Sequence, residues 1–217
     1  MTAGGPSGSR GLVVGTLVVL VLAVAGYFVY RSTQGAQAGT GRVDVTGQPT
    51  LGGTSAKAQI VVFEDFKCPN CQRYDAEVYP QVRSELVDKG LATYTFVNFP
   101  FLGPDSRTAA IAGECVARQN AELFWPYKDL VYRAQGPETT EWATPDRLVE
   151  LANIVEGIDT GALRTCIDDS ATAAAVDADL ALVKQYEVTG TPTVLVNGAK
   201  VTATFDAIRQ AVEGASE

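Results

Sequence analysis

The tetrad Cys68-Pro69-Asn70-Cys71, set close behind the apolar run Ile60-Val61-Val62-Phe63, restricts this chain more than any other stretch. A short apolar run bounded by turn residues reads as a buried strand, here over residues 59–65. A proline directly after the first cysteine marks a helix start, because its φ is already helical and the N–H it lacks would have no partner in the first turn. The first thiol therefore falls at a helix N-terminus, where the macrodipole and free N–H groups favour a thiolate. The second stands one turn further in and can close a disulfide with it. Such an arrangement is a dithiol switch. Glu64 and Asp65 end the strand beside it. A buried carboxylate there is a candidate proton shuttle for Cys71, with a raised pKa; solvated charge at a strand end is the commoner condition of such residues.

Composition narrows the chemistry. The formal net charge is −8 and there is no histidine. No basic footprint for nucleic acid exists, and imidazole catalysis and histidine-ligated zinc are excluded. Four cysteines, Cys68, Cys71, Cys115 and Cys166, suit two disulfides, with three ways of pairing them. A zinc site of four thiolates competes, but its second half would normally be another C-x-x-C, whereas Cys115 and Cys166 stand far apart. No metal and no cofactor is expected.

Residues 11–30 (GLVVGTLVVLVLAVAGYFVY) carry no charge. About twenty such residues span a bilayer as a helix. Tyr27 and Tyr30 suit its interface, and Arg10 and Arg31 flank it. A cleaved signal peptide is the rival, with weak A-x-A sites at Ala23-Val24-Ala25 and Ala36-Gln37-Ala38, but its apolar region needs only ~7–15 residues. The length favours an uncleaved single-pass anchor. Paired cysteines persist outside the cytosol, so the rest of the chain is expected to face out from the cell membrane.

Residues 1–10 form a short tail. Residues 31–49, rich in Gly, Gln, Thr and Ala, read as a flexible linker whose random-coil reach is about 20 Å. After Cys71, the residues Tyr74, Val78, Val82, Leu86 and Val87 recur at helical spacing as far as Lys89, and Pro80 should kink or split that helix. Residues 92–99 (ATYTFVNF) read as a second strand. Residues 106–134 read as helical, with Asp105 or Ser106 as N-cap and Pro126 dividing them into two helices. Thr144-Pro145-Asp146 opens another helix, Thr160 caps a short one through Cys166, and Ser170 begins a long one ending near Tyr186. Thr193-Val194-Leu195-Val196 followed by Asn197-Gly198 signals a hairpin, and residues 205–212 close with a helix. Sheet pieces on both sides of a helical block imply one sheet with a helical insertion.

The chain resembles the DsbA-like thiol:disulfide oxidoreductases of the thioredoxin superfamily. The matching pieces are Val62-Phe63-Glu64-Asp65-Phe66-Lys67-Cys68-Pro69-Asn70-Cys71, Phe99-Pro100-Phe101-Leu102-Gly103-Pro104, Phe124-Trp125, and Gly190-Thr191-Pro192-Thr193-Val194-Leu195-Val196-Asn197-Gly198. They extend from about Thr50 to the C-terminus. The resemblance implies an α/β thioredoxin fold over residues 50–104 and 187–217, with an inserted helical domain at 105–186, preceded by the N-terminal transmembrane helix. Cys68 is then the nucleophile, expected to be exposed, and Cys71 the more buried resolving thiol. A disulfide closing so short a loop stabilises little, which favours function over structure for this pair.

Pro69 and Asn70 tune the redox balance. Asparagine donates hydrogen bonds but carries no charge, so Cys68 should be less acidic than in relatives with histidine at the Asn70 position. Pro192 matches the family's cis-proline facing the dithiol. With Thr191 it exposes backbone groups to an extended substrate segment, which reads little sequence. Cys115 and Cys166 match a second disulfide found in the helical block of family members, worth about 4 kcal/mol in the chain-entropy model. Phe124, Trp125 and Tyr127 read as core. The function implied is a membrane-tethered oxidase, monomeric, that introduces disulfides into reduced exported proteins and is reoxidised by a quinone-linked membrane partner. A reductase or isomerase on the same scaffold is one alternative, although isomerases of this kind dimerise through an added N-terminal domain. A redox-inactive binding or holdase module is another.

Overall fold

The computed structural model of the chain describes residues 41–215. The anchor expected at residues 11–30 lies outside the described residues, among which no helix is long and apolar enough to cross a membrane. Residues 42–48, expected as linker, are docked on the fold. The Gln59 side chain accepts from Val43 N at 2.7 Å and donates to its carbonyl at 3.0 Å, and Val43 is buried.

Five strands form one mixed sheet in the order β1-β3-β2-β4-β5: β1 Thr50–Leu51, β2 Ala58–Glu64, β3 Ala92–Asn98, β4 Thr193–Val196 and β5 Ala199–Val201. β2 runs parallel to β3, with Ile60 opposite Tyr94, and antiparallel to β4, with Phe63 opposite Thr193. Every residue of β2 and β3 is buried. Both strands are covered on both faces; β2 is accordingly apolar without a break from Ile60 to Phe63, whereas β3 sets Thr93 and Thr95 between its apolar residues. Ile60, Val62, Tyr94 and Phe96 face the larger core with Phe124 and Trp125; Val61, Phe63, Val97 and Leu195 face a smaller one with Val43, Val183 and Val188.

Among the described residues the helices are α1 Pro69–Glu77, α2 Tyr79–Val82 continued by a π-helical turn Arg83–Val87, α3 Pro104–Gln119, α4 Ala121–Arg133, α5 Pro145–Ala152, α6 Thr160–Asp168, α7 Ala173–Gln185 and α8 Phe205–Gly214. α3 to α7 lie in sequence between β3 and β4, as the helical block was expected to. The expected caps moved. α3 begins at Pro104 after Gly103, whose φ of 110° turns the chain. Asp105 and Ser106 are engaged elsewhere, as described below. The break between α3 and α4 falls at Asn120 and not at Pro126, because the Asn120 side chain caps Glu122 N at 2.9 Å. Pro126 sits inside α4, between the buried Trp125 and Tyr127, and burial on both sides holds the helix through the lost bond. Asp159, not Thr160, caps α6 through Ala162 N at 2.9 Å, and α7 starts at Ala173 after Ser170 turns at φ 49°.

A buried polar knot ties β3 to the block. The Asn98 amide donates to Glu114 and Asp179 at 2.8 Å each, and Asp179 also accepts from Asn98 N and from Gln48.

Candidate functional site

Cys68 takes the N-cap position of α1, with extended backbone at φ −75° and ψ 119°. Cys71 N and Gln72 N bond the Cys68 carbonyl at 3.0 and 3.1 Å, which sets the first helical turn around the thiol. Both cysteines are free thiols, and both are buried: Cys71 is fully enclosed and Cys68 is 6 % exposed. The expectation of an exposed Cys68 is therefore corrected. The loop of Thr191 and Pro192, joined by a cis peptide bond, lies against it, and the Cys68 thiol donates to the Thr191 carbonyl at 3.5 Å. Pro69 and Asn70 are exposed beside it.

The two thiols are driven apart electrostatically. The Cys71 thiol hydrogen-bonds the Cys68 sulfur and is the largest influence lowering its pKa from 9.0 to about 6; the Thr191 hydroxyl and the backbone N–H groups of Cys71 and Asn70 act in the same direction, against burial. The buried Thr191 hydroxyl has no hydrogen-bond partner among the described residues, so it is available to whichever of the two sulfurs is ionised. Burial pushes Cys71 well above the ordinary thiol value, and the hydrogen bond to Cys68 and the charge of Glu64 push it further. Asn70 contributes through its backbone N–H.

Neither carboxylate of the strand end is solvated: Glu64 and Asp65 are each 1 % exposed. They do different things. Glu64 lies on the face of β2 that carries Ile60 and Val62, and it accepts from Tyr132 OH at 2.9 Å and Tyr94 OH at 3.2 Å. Burial raises its pKa to about 8, with Lys128 and the two hydroxyls pulling the other way and Asp75 assisting. Asp65 accepts from Lys67 N, Phe101 N, Leu102 N and the Ser106 hydroxyl at 2.6–3.1 Å. It clamps the loop after β3 against the active-site turn, and all its acceptor capacity is directed there rather than at Cys71. The neighbouring Lys67–Asp105 ion pair, buried at 2.6 Å, extends the clamp, since Asp105 also accepts from Trp142 N and Ala143 N.

The block supplies residues that sequence reasoning missed. Lys128 of α4 is wholly buried, paired with Asp75 of α1 and with Asp129 at 2.9 Å, and its ammonium stands 4.1 Å from the Tyr79 ring centre. The charges of Asp75 and Asp129, joined by Glu64 once it ionises, hold it protonated against the cost of burial. Gln135 donates to the Phe66 and Cys68 carbonyls at 2.8 and 3.1 Å, and Gln72 donates to the Tyr132 carbonyl at 2.7 Å. The end of α4 thus grips the first turn of α1 from two directions. A signal for Lys128 did exist: it interrupts the buried aromatic series Phe124, Lys128, Tyr132 at helical spacing, where an unpaired lysine would be costly. Cys115 and Cys166 are joined by a disulfide linking α3 to α6, with Cα atoms 6.1 Å apart. Among the described residues no cluster of His, Cys, Asp and Glu suits a metal ion.

A family model described as Thioredoxin matches residues 44–214, and disulfide bond formation protein D of Bacillus subtilis is 32% identical over 185 residues, 84% of this chain and 83% of that protein. The chain belongs to the DsbA-like thiol:disulfide oxidoreductases. The crystal structure of oxidised BdbD from Bacillus subtilis superposes with a TM-score of 0.77 at 32% identity, covering 82% of this chain and 97% of that one. DsbA from Chlamydia trachomatis gives 0.73 at 26% identity over 79% and 93%. In a DsbA-like oxidoreductase, thiol pKa values split as they are at Cys68 and Cys71 define the chemistry: one sulfur ready to leave or attack as a thiolate, the other held as a thiol.

Proposed function

We propose that this protein is an extracytoplasmic oxidase, tethered to the cell membrane through residues 11–30, that transfers its disulfide to reduced exported polypeptides. The observation carrying this reading is the stabilised Cys68 thiolate, with a pKa of about 6. Whatever stabilises the reduced form makes the disulfide a stronger oxidant. A substrate thiolate attacks Cys68 Sγ of the Cys68–Cys71 disulfide; the S–S bond breaks, Cys71 leaves as a thiolate, and a mixed disulfide forms. A second substrate thiolate attacks the substrate sulfur of that mixed disulfide and expels Cys68 as its stable thiolate. The substrate has lost two electrons, which the dithiol now holds, and a quinone-linked membrane partner is the acceptor that restores the disulfide.

Glu64 manages the proton. With a pKa of about 8 it is mostly the neutral acid at pH 7 and delivers its proton to the strongly basic Cys71 thiolate as that group leaves. Thr191 and Pro192 form the wall against which an extended substrate segment lies, Pro69 and Asn70 set the redox balance, and Asp65 positions the loop. The Cys115–Cys166 disulfide has a structural role, holding α6 to α3. One experiment decides the direction: equilibration with glutathione. An oxidase should give a reduction potential between about −120 and −200 mV, whereas a value near −270 mV, in the thioredoxin range, makes the protein a reductase.

A further inference from the structure

A groove of about 810 Å³ runs along α1 and α2 with the end of α4 as its opposite wall. It begins at Pro69 and Gln72, beside the nucleophile, and passes Arg73 and Arg83, with Asp129 and Arg133 across from them. The described residues include nine arginines. Seven of them hold a carboxylate or a carbonyl of this chain. The two with no hydrogen bond or ion pair, Arg73 and Arg133, both line this groove. Its acidic residues are three: Asp75 and Asp129 share the single charge of Lys128 beneath them, Asp75 also feels Arg133, and Asp88 faces Arg83 at 4.0 Å. Three arginines and Lys128 stand against three aspartates, a surplus of one positive charge at the groove, on a chain whose net charge is −8.

We propose that the groove receives an acidic segment of the substrate polypeptide, adjoining the cysteine that reacts with Cys68. This rests on the oxidoreductase reading of the dithiol and names the substrate class it favours. From Pro69 to Arg83 the helical rise gives about 20 Å, which an extended segment covers in about six residues. Acidic side chains within about six positions of the substrate cysteine reach Arg73 and Arg133. A net negative enzyme repels acidic chains at long range, and the positive surplus at Arg73 and Arg133 offsets that repulsion in the groove, which favours productive orientation over raw affinity.

The test uses the full chain in its oxidised form and two dithiol peptides that differ only in carrying aspartates or lysines two to six positions from the attacking cysteine. Each oxidation rate is divided by the same enzyme's rate with dithiothreitol, which enters the site without using the groove. In the Arg73→Gln/Arg133→Gln variant the ratio of aspartate to lysine peptide rates should fall on the order of fivefold at low salt, from two exposed charge pairs. The difference between the two enzymes should fade near 1 M salt, where screening acts within about 3 Å. An unchanged ratio in the variant, or a change indifferent to salt, overturns the proposal. Wild-type enzyme that fails to oxidise dithiothreitol would instead overturn the oxidoreductase reading on which it rests.

Discussion

Replacing Glu64 with glutamine should make the protein more stable and a poorer enzyme at once. Unfolded, the carboxyl titrates near its ordinary 4.5; folded, burial moves it to about 8. Between those values the native state keeps a proton that the unfolded state has lost, so stability is full below pH 4.5 and declines as pH rises through 8. At pH 7 the unfolded carboxyl is about 2.5 pH units past its midpoint, which at 1.36 kcal/mol per unit costs the wild type about 3 kcal/mol. Glutamine stays neutral and escapes that cost, and its amide can still pair with Tyr94 and Tyr132, whose hydroxyls both donate and accept. Urea denaturation of both proteins from pH 4.5 to 9 gives the comparison. The Glu64→Gln advantage should grow with pH to about 3 kcal/mol at pH 7. Glu114 and Asp179, also raised by burial, lose stability with pH in both proteins alike and cancel. In single-turnover exchange with a dithiol peptide the variant should be slower by about a hundredfold, the low end for a missing acid–base group. Parallel pH profiles for the two proteins would refute the reasoning, because they would mean that Glu64 is ionised throughout.

Three further outcomes are expected. In Cys71→Ala the Cys68 thiolate loses its main hydrogen-bond donor, so its pKa, read from thiolate absorbance at 240 nm, should climb from about 6 toward the ordinary thiol value of about 8.5. Cys71→Ser, which keeps a donor, should stay lower and trap mixed disulfides; equal values for the two variants would remove Cys71 from the account. Lys128→Met leaves Asp75 buried beside Tyr79 without its cation and should cost about 3–5 kcal/mol in urea midpoint terms, with Lys128→Met/Asp75→Asn regaining part of it. A loss below about 1 kcal/mol would mean that the carboxylates reach water without the lysine. Removing the Cys115–Cys166 disulfide by double alanine substitution opens a link across 51 residues and should cost about 4 kcal/mol of stability, while dithiothreitol oxidation below the melting range continues; loss of that activity in folded protein would give the pair a redox role.

Much of the architecture was legible in local sequence because each signal rests on a backbone constraint that a few residues impose. Pro69 at a helix start, Thr144-Pro145 as cap and first turn, and Asn197-Gly198 between two strands all met the structure where they were expected. The misplaced boundaries lay where a side chain had a better long-range partner. Asp105 and Ser106 were read as caps, yet they bond Lys67 and Asp65 across 38 and 41 residues. Pro126 was read as a break, yet aromatic burial on both sides keeps α4 continuous.

The sequence alone determined that there is a dithiol at a helix N-terminus, that a second proline-bearing loop exists far along the chain, and that no histidine takes part. Those are matters of residue identity and short-range spacing. Tertiary structure alone decided the protonation of the site. Whether Glu64 is a solvated charge or a neutral acid, and whether Cys68 or Cys71 holds the negative charge, depends on burial and on partners drawn from β3, α1, α4 and the Thr191 loop. Desolvation and hydrogen bonding act through space, and no pattern along the chain carries their magnitude.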